Sequence, residues 1–252
     1  EMRQGMDTNH TYVELDGAGV YDVYIYGYTG PKISSTRFYA EIMNVNTVAE
    51  QLYYDIRVPF EMLDYLNPNS REYAEILRYL DAAVSMLDLF EIGSEDYFSS
   101  LVRAKAYMDG QFYGAYCRIQ PQTTVCIGHT HIDCAWKWTL RQTREKVQRS
   151  FATVLELMKR YPEYKFMSSQ ALLYQNLMEE APELYEQVKQ MIKAGRWECE
   201  GAMWVEADCN LTSGESLVRQ VMYGKNFFKQ EFGVENRVLW LPDVFGYSAA
   251  LP

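Results

Sequence analysis

The stretch CIGHTHIDCAW, residues 126–136, places His129, His131 and Asp133 at alternate positions and uses two of the chain's three histidines. Alternate residues of an extended segment project to the same side. This spacing therefore aims two imidazoles and a carboxylate at one point. Imidazole nitrogen and carboxylate oxygen together suit zinc or a similar divalent ion. The competing reading, polar loop residues satisfied by their neighbours, fits a lone histidine better than it fits His-x-His-x-Asp. Downstream, WLPDVFGYS (240–248) offers Asp243 just past Pro242. By itself Asp243 reads as a turn or cap residue; beside a His and a carboxylate it becomes a third ligand. GAMWVEADCNLTSGES (201–216) carries Glu206 and Asp208, for which capping and rim packing are as good an account as chemistry. Trp136, Trp138 and Phe245 flank these acids. Aromatic faces at a site's mouth suit the apolar side of a sugar ring, and core packing is the alternative for each, favoured for Trp138. Cys134 and Cys209 lack metal-type spacing and read as small buried residues.

The elements that must position these groups begin near Pro121. Short apolar strands are predicted at 123–128, 165–169, 196–201 and 237–242. Helices are predicted at 137–161, at 170–195 as a pair divided near Pro182 and stopped by Gly195, and at 214–233. Strand–helix alternation at this interval signals parallel βα units, and strands this apolar are covered on both faces. A doubly wound sheet and a β/α barrel both satisfy the pattern. In either, active sites lie at the carboxyl ends of the strands, which is where the three acidic motifs fall.

Upstream, residues 12–28 alternate around a DGAG turn and predict a hairpin, and 37–45 predict another strand. Residues 46–66 place Val48, Leu52, Ile56, Phe60 and Leu63 at helical steps, and Pro59 should kink or split that helix. Residues 69–90 predict a helix opening on Asn69 with Glu72 three residues on, with Tyr73, Ile76, Leu80, Val84 and Leu87 as its stripe. A third helix is predicted from Ser94 to about Met108. These stripes read as core packing, and the region shows no chemistry.

Composition bounds the partners. Of the 252 residues, 48% are apolar and 23% charged, an ordinary globular balance. A net charge of −10 repels phosphate backbones and anionic lipid, which argues against nucleic acid and membrane as partners. Five cysteines, an odd number with no CxxC pair, suit reduced thiols in a cytoplasm.

GHTHIDCAW, GAMWVEADCNLTSGESLVRQ and WLPDVFGYSAALP, in this order, resemble the α-mannosidases of glycoside hydrolase family 38, most of all their cytosolic-type branch. The resemblance implies a domain plan: a β segment of an N-terminal domain at 1–36, a helical segment at 37–119, and at 120–252 the N-terminal part of a seven-stranded catalytic β/α barrel. It implies a retaining hydrolase of α-mannoside oligosaccharides, dependent on Zn2+ or another divalent cation such as Co2+. By the same resemblance His131, Asp133 and Asp243 match metal ligands, Asp243 also matches the nucleophile, and Trp136 and Phe245 match aromatics that contact mannose. His129 matches a position that is not a ligand, so the alternation argument counts one imidazole too many.

The family pattern also has a fourth ligand, a histidine, and a separate acid/base aspartate, both downstream. No histidine follows His131. The expectation is therefore an N-terminal fragment that lacks half the barrel and hydrolyses nothing alone. Two rival functions remain at this level. One is a metal-dependent amidohydrolase-type barrel, in which His-x-His after the first strand also binds metal. The other is a non-catalytic carbohydrate-binding module, for which the helical segment offers surface for a homo-oligomer.

Overall fold

A computed structural model describes residues 12–15, 17–25, 39–117, 124–249 and 251. It divides into two compact units, one formed by 22–124 and one by 1–21 with 125–252.

The first unit is helical. α1 (Thr47–Met62) starts at Asn46, whose side chain accepts from the Ala49 amide, and it runs into a 3₁₀ turn, Leu63–Tyr65. α2 (Arg71–Ser85) is capped by Ser70 and α3 (Glu95–Tyr107) by Ser94, each accepting from the amide three residues on. Asn69 is thus one residue too early: the hydroxyl beside it closes the first turn. α3 continues as a π-helix, Met108–Tyr116. Leu52, Leu63, Ile76, Leu80, Ala83, Leu101, Ala104, Met108 and Phe112 form the buried core. Phe60 and Val84, counted in the predicted stripes, lie exposed.

Pro59 neither splits α1 nor ends it. Proline leaves the carbonyl four residues back without its helical donor. That carbonyl belongs to Asp55, and the Tyr113 hydroxyl donates to it at 2.9 Å. A side chain from the π-helix thus replaces the missing amide.

The predicted hairpin and the strand at 37–45 do not appear. Among the described residues, none of 12–15, 17–25 or 39–45 is in a strand; residues 26–38 of that reading lie outside the described residues. Alternation needs a neighbouring strand and a core to cover one face. Val20, Tyr24 and Ile25 are instead exposed.

The second unit is α/β. Three parallel strands, β1 (Gly128–His129), β2 (Phe166–Met167) and β3 (Trp197–Glu198), lie side by side in chain order. The predicted fourth strand joins only through a parallel bridge between Gly201 and Leu239. α4 (Leu140–Arg160) connects β1 to β2. α5 (Ala171–Glu180) and α6 (Pro182–Lys193) connect β2 to β3, with Pro182 at the first position of α6, where its missing N–H costs nothing. α7 (Gly214–Phe232) follows, stopped by Gly233 at φ +69°. Its start at Ser213 is the one the sequence marks.

The core between helices and sheet is aromatic. Phe151, Phe166, Tyr174, Trp197 and Phe228 are buried together, with successive rings packed edge-on or tilted. The polar tips are satisfied inside: Trp197 Nε1 donates to the Tyr174 hydroxyl at 2.9 Å, and that hydroxyl donates to the Ser168 carbonyl at 2.8 Å. Leu140 is exposed, while Val147, Phe151, Val154 and Met158 face inward from α4 and are buried.

Candidate metal and sugar site

The site is assembled by loops held at the carboxyl ends of the three strands. The loop after β2 turns sharply: Gln170 has φ +65°, and α5 begins at the next residue. The first amides of α5, at Ala171 and Leu172, donate to the carbonyls of Met203 and Trp204 in the loop after β3. These are donors that a helix start leaves without internal partners. α7 supports the same loop through Gln220, whose backbone carbonyl and side chain accept from Trp204 N and Val205 N. The approach is close enough to require glycine. A Cβ on Gly201, at φ +117°, would stand 2.5 Å from Ser169 Cβ, and one on Gly224 would stand 2.3 Å from the Ala202 oxygen.

Gln170 is buried and ties three segments together. Its Nε2 donates to the Ile132 carbonyl at 3.0 Å, while its Oε1 accepts from Cys134 Sγ and from Glu206 N. Trp138 braces the loop after β1 by donating to the Asp133 carbonyl and Thr143 Oγ1. The loop then enters α4 through a capping box of Thr139 and Gln142.

His131 stands where these loops meet. Its Nδ1 lies 2.6 Å from Glu206 Oε2, and its Nε2 lies 3.2 Å from Asp133 Oδ1 and 3.5 Å from Asp243 Oδ2. The Glu206 side chain is only 4% exposed, against 40% for Asp133 and 56% for Asp243. Burial acts to lower the His131 pKa; the charge of Glu206 and the hydrogen bonds of Asp133 and Glu206 outweigh it, so the net shift is upward.

These distances have a chemical consequence. A carboxylate accepts hydrogen bonds and cannot donate them. With Nδ1–H donating to Glu206, Nε2 faces two further carboxylates. Three acceptors facing one another require a cation among them, either a proton on the ring or a metal ion. Tetrahedral ions with ligands at about 2.0–2.2 Å hold neighbouring donors about 3.3–3.6 Å apart, close to the two separations seen at Nε2. Among the described residues no three His, Cys, Asp or Glu side chains stand as a ready-made metal cluster, and the contacts above all run through the one imidazole. The donor types at Nε2, one imidazole and two carboxylates, are ones a divalent ion takes.

His129 is turned to another task. Its Nε2 accepts from Trp240 Nε1 at 3.1 Å, and burial lowers its pKa below the usual histidine value. This bond also fastens the fourth segment to the first. Asn236 Nδ2 reaches the Cys199 carbonyl at 2.7 Å, and Arg237 N reaches Glu200 Oε1; both hold that segment to the region after β3 and so set Asp243. Trp136 and Phe245 are 64% and 86% exposed and lie outside the core. Asp208 makes an Asx-type turn with the amides of Asn210 and Leu211. Cys134 is largely buried, its thiol pushed up to about 11 by burial and by Glu206 and Asp133, and Cys209 is buried.

Sequence reasoning left Glu206 undecided and missed Ser169, Gln170 and Trp240. A loop position was the only signal for Glu206, since its partner lies 75 residues away. Nothing in local spacing marks the other three.

The glycosyl hydrolases family 38 N-terminal domain matches residues 121–252. Alpha-mannosidase G of Dictyostelium discoideum is 48% identical over 134 residues, which is 53% of this chain and 12% of that protein. The alpha-mannosidase of Saccharomyces cerevisiae is 41% identical over 165 residues, 64% of this chain and 15% of that protein. Alpha-mannosidase 2C1 of Homo sapiens is 44% identical over 142 residues, 56% and 14% respectively. The aligned region is thus a small part of each of these relatives.

Proposed function

The chain belongs to the glycosyl hydrolases of family 38, and on that footing we propose that it carries the sugar-gripping part of a retaining α-mannosidase acting on oligosaccharides that end in α-linked mannose. One observation carries the reading: His131, Asp133 and Asp243, delivered by the first and fourth strand segments, meet at 3.2 and 3.5 Å around Nε2. In-order neighbouring of β1, β2, β3 and the bridged segment, with no reversal, supports the start of a seven-stranded β/α barrel over a doubly wound sheet. We assign 120–252 to that barrel and 37–119 to a helical segment before it.

In the proposed reaction Asp243 attacks the anomeric carbon as the aglycone oxygen leaves with a proton from a general acid. Water then cleaves the glycosyl ester, so the configuration is retained. His131 faces Asp243 and helps to hold it in place, and Trp136 and Phe245 cover the apolar face of the ring. A divalent ion such as Zn2+ or Co2+, held by His131, Asp133 and Asp243, would supply positive charge to orient two vicinal hydroxyls and ease flattening of the ring. The amidohydrolase alternative gains no support, because His129 Nε2 is engaged by Trp240.

A cytoplasmic address is part of the proposal, supported by five free thiols and the resemblance to the cytosolic-type branch. Among the described residues no helix is long and apolar enough to cross a membrane. Neither nucleic acid nor membrane is proposed as a partner, in keeping with the charge of −10.

The test is made on the product of the complete reading frame. It should hydrolyse 4-nitrophenyl α-mannoside, release α-mannose as the first anomer seen by proton NMR, lose activity to a chelator and regain it with zinc or cobalt. Folded protein that releases β-mannose first, or that leaves the mannoside intact, would overturn the reading.

A further inference from the structure

We infer that Glu206 is a positioning residue for His131: it holds the proton on Nδ1 and thereby presents the Nε2 lone pair to the ion position. The inference rests on the metal reading above and extends it to a residue outside the ligand set. Its basis is geometric. Glu206 is the most buried carboxylate in contact with the ring, 4% exposed, while the two carboxylates facing Nε2 are open to solvent. Its two oxygens are engaged by different partners: Oε2 by His131 Nδ1 at 2.6 Å and Oε1 by Ser169 Oγ at 2.5 Å. A buried carboxylate without a donor on each side is costly, so each oxygen requires a proton pointing at it. The histidine ring supplies one of them, and this fixes its tautomer.

The frame around Glu206 is built for this purpose. Its backbone N–H donates to Gln170 Oε1, and Gln170 Nε2 donates to Ile132 O, the residue after His131. Ser169 and Gln170 are both buried, and Gln170 adopts the left-handed backbone conformation that side chains rarely take. Glu206 and the backbone just after His131 are thus both tied to Gln170, and the Glu206 carboxylate also to Ser169. A ring that is free to choose prefers the proton on Nε2, the nitrogen the ion needs. Carboxylate partners on the distal nitrogen orient ligating histidines in this way in general.

The experiment uses the complete protein with Glu206→Ala, Glu206→Gln and Ser169→Ala. The first measurement is long-range proton–nitrogen NMR of the metal-free protein, the His131 signals assigned with His131→Asn and recorded above the pH where the ring becomes neutral. The second is zinc affinity by chelator competition. Wild type should show the proton on Nδ1. Glu206→Ala should move it to Nε2 and weaken zinc binding about 10- to 100-fold. Glu206→Gln, whose amide oxygen still accepts from Nδ1, should keep the tautomer and lose less affinity, and Ser169→Ala should lose least. An Nε2–H ring in wild type, or a folded Glu206→Ala with tautomer and affinity unchanged, would overturn the inference. Should Glu206→Ala fail to fold, Glu206→Gln decides through affinity: zinc binding unchanged from wild type refutes the inference, and reduced binding together with Nδ1–H in the wild-type ring supports it. Wild type that binds no zinc would refute the metal reading, and the tautomer would still report on Glu206.

Discussion

The helical unit and the α/β unit solve the problem of their polar groups in opposite ways. In the helical unit the ion pairs are mostly local: Arg57 with Glu61, Arg78 with Glu75, Lys105 with Asp109, each three or four residues apart and largely exposed. Its caps are local too, each spanning three residues. In the α/β unit the polar contacts that matter reach far along the chain, from His131 to Glu206, Trp240 to His129, Gln170 to Ile132 and Asn236 to Cys199. Local pairs on solvated helices add a few tenths of a kcal/mol each. Buried pairs between loops are costly to break and orient what they hold. The comparison teaches where to look for chemistry: where side chains from distant segments satisfy one another in partial burial.

The sharpest break of this contrast is Asp243→Asn. In the complete enzyme it should reduce turnover of the nitrophenyl mannoside by roughly a thousandfold or more, as loss of a nucleophile does, with the circular dichroism spectrum unchanged. Full activity in that variant would remove Asp243 from the mechanism.

Next in size is the core of the α/β unit. Phe151 is fully buried among Phe166, Tyr174 and Trp197. Phe151→Ala should cost about 3–5 kcal/mol in denaturant unfolding. Phe60→Ala, an equal truncation on an exposed face of α1, should stay within about 0.5 kcal/mol. Similar costs at both sites would erase the distinction between the two stripes.

The helical unit has distant polar contacts too, Lys105 with the Asp55 carboxylate and Tyr113 with the Asp55 carbonyl, and the second tests the rule from the other side. Tyr113→Phe removes the donor to the carbonyl left open by Pro59 and should destabilise by about 0.5–1.5 kcal/mol. A double variant that also replaces Pro59 with Ala restores the helical donor and should recover most of that loss. The same hydroxyl gives a pH signature. Burial, then the charge of Asp55, pushes the Tyr113 pKa up to about 12. A raised folded pKa means its contribution is complete below the ordinary tyrosine value of about 10 and is lost as pH climbs through 12. Stability followed from pH 8 to 12 should fall over that window, and less steeply in Tyr113→Phe.

A local cap gives a comparably small effect. Ser94→Ala removes the acceptor for Tyr97 N and should cost about 1 kcal/mol, readable as a shift in the unfolding midpoint.

Amino-acid order alone determined what depends on near neighbours. Helix starts at Ser94 and Ser213, the break at Pro182, the stops at Gly195 and Gly233, and the places of β2 and β3 within the longer expected strands all follow from side chains within a few residues of the event, whereas β1 lies at the very end of its expected run, past Val125 and Ile127, which are exposed. The motif residues His131, Asp133 and Asp243 were also recognisable, because their types and their place after apolar runs are local facts. Tertiary structure decided the rest. The alternation of residues 12–25 formed no ladder among the described residues, since a strand is stable only against a partner the pattern does not name. Pro59 was tolerated because the Tyr113 hydroxyl reaches the Asp55 carbonyl that it leaves open. His129 went to Trp240, and Glu206 came to His131 across 75 residues. Hydrogen bonds of a few ångströms between such distant segments are set by the path of the backbone in space, and no spacing within a short window encodes that path.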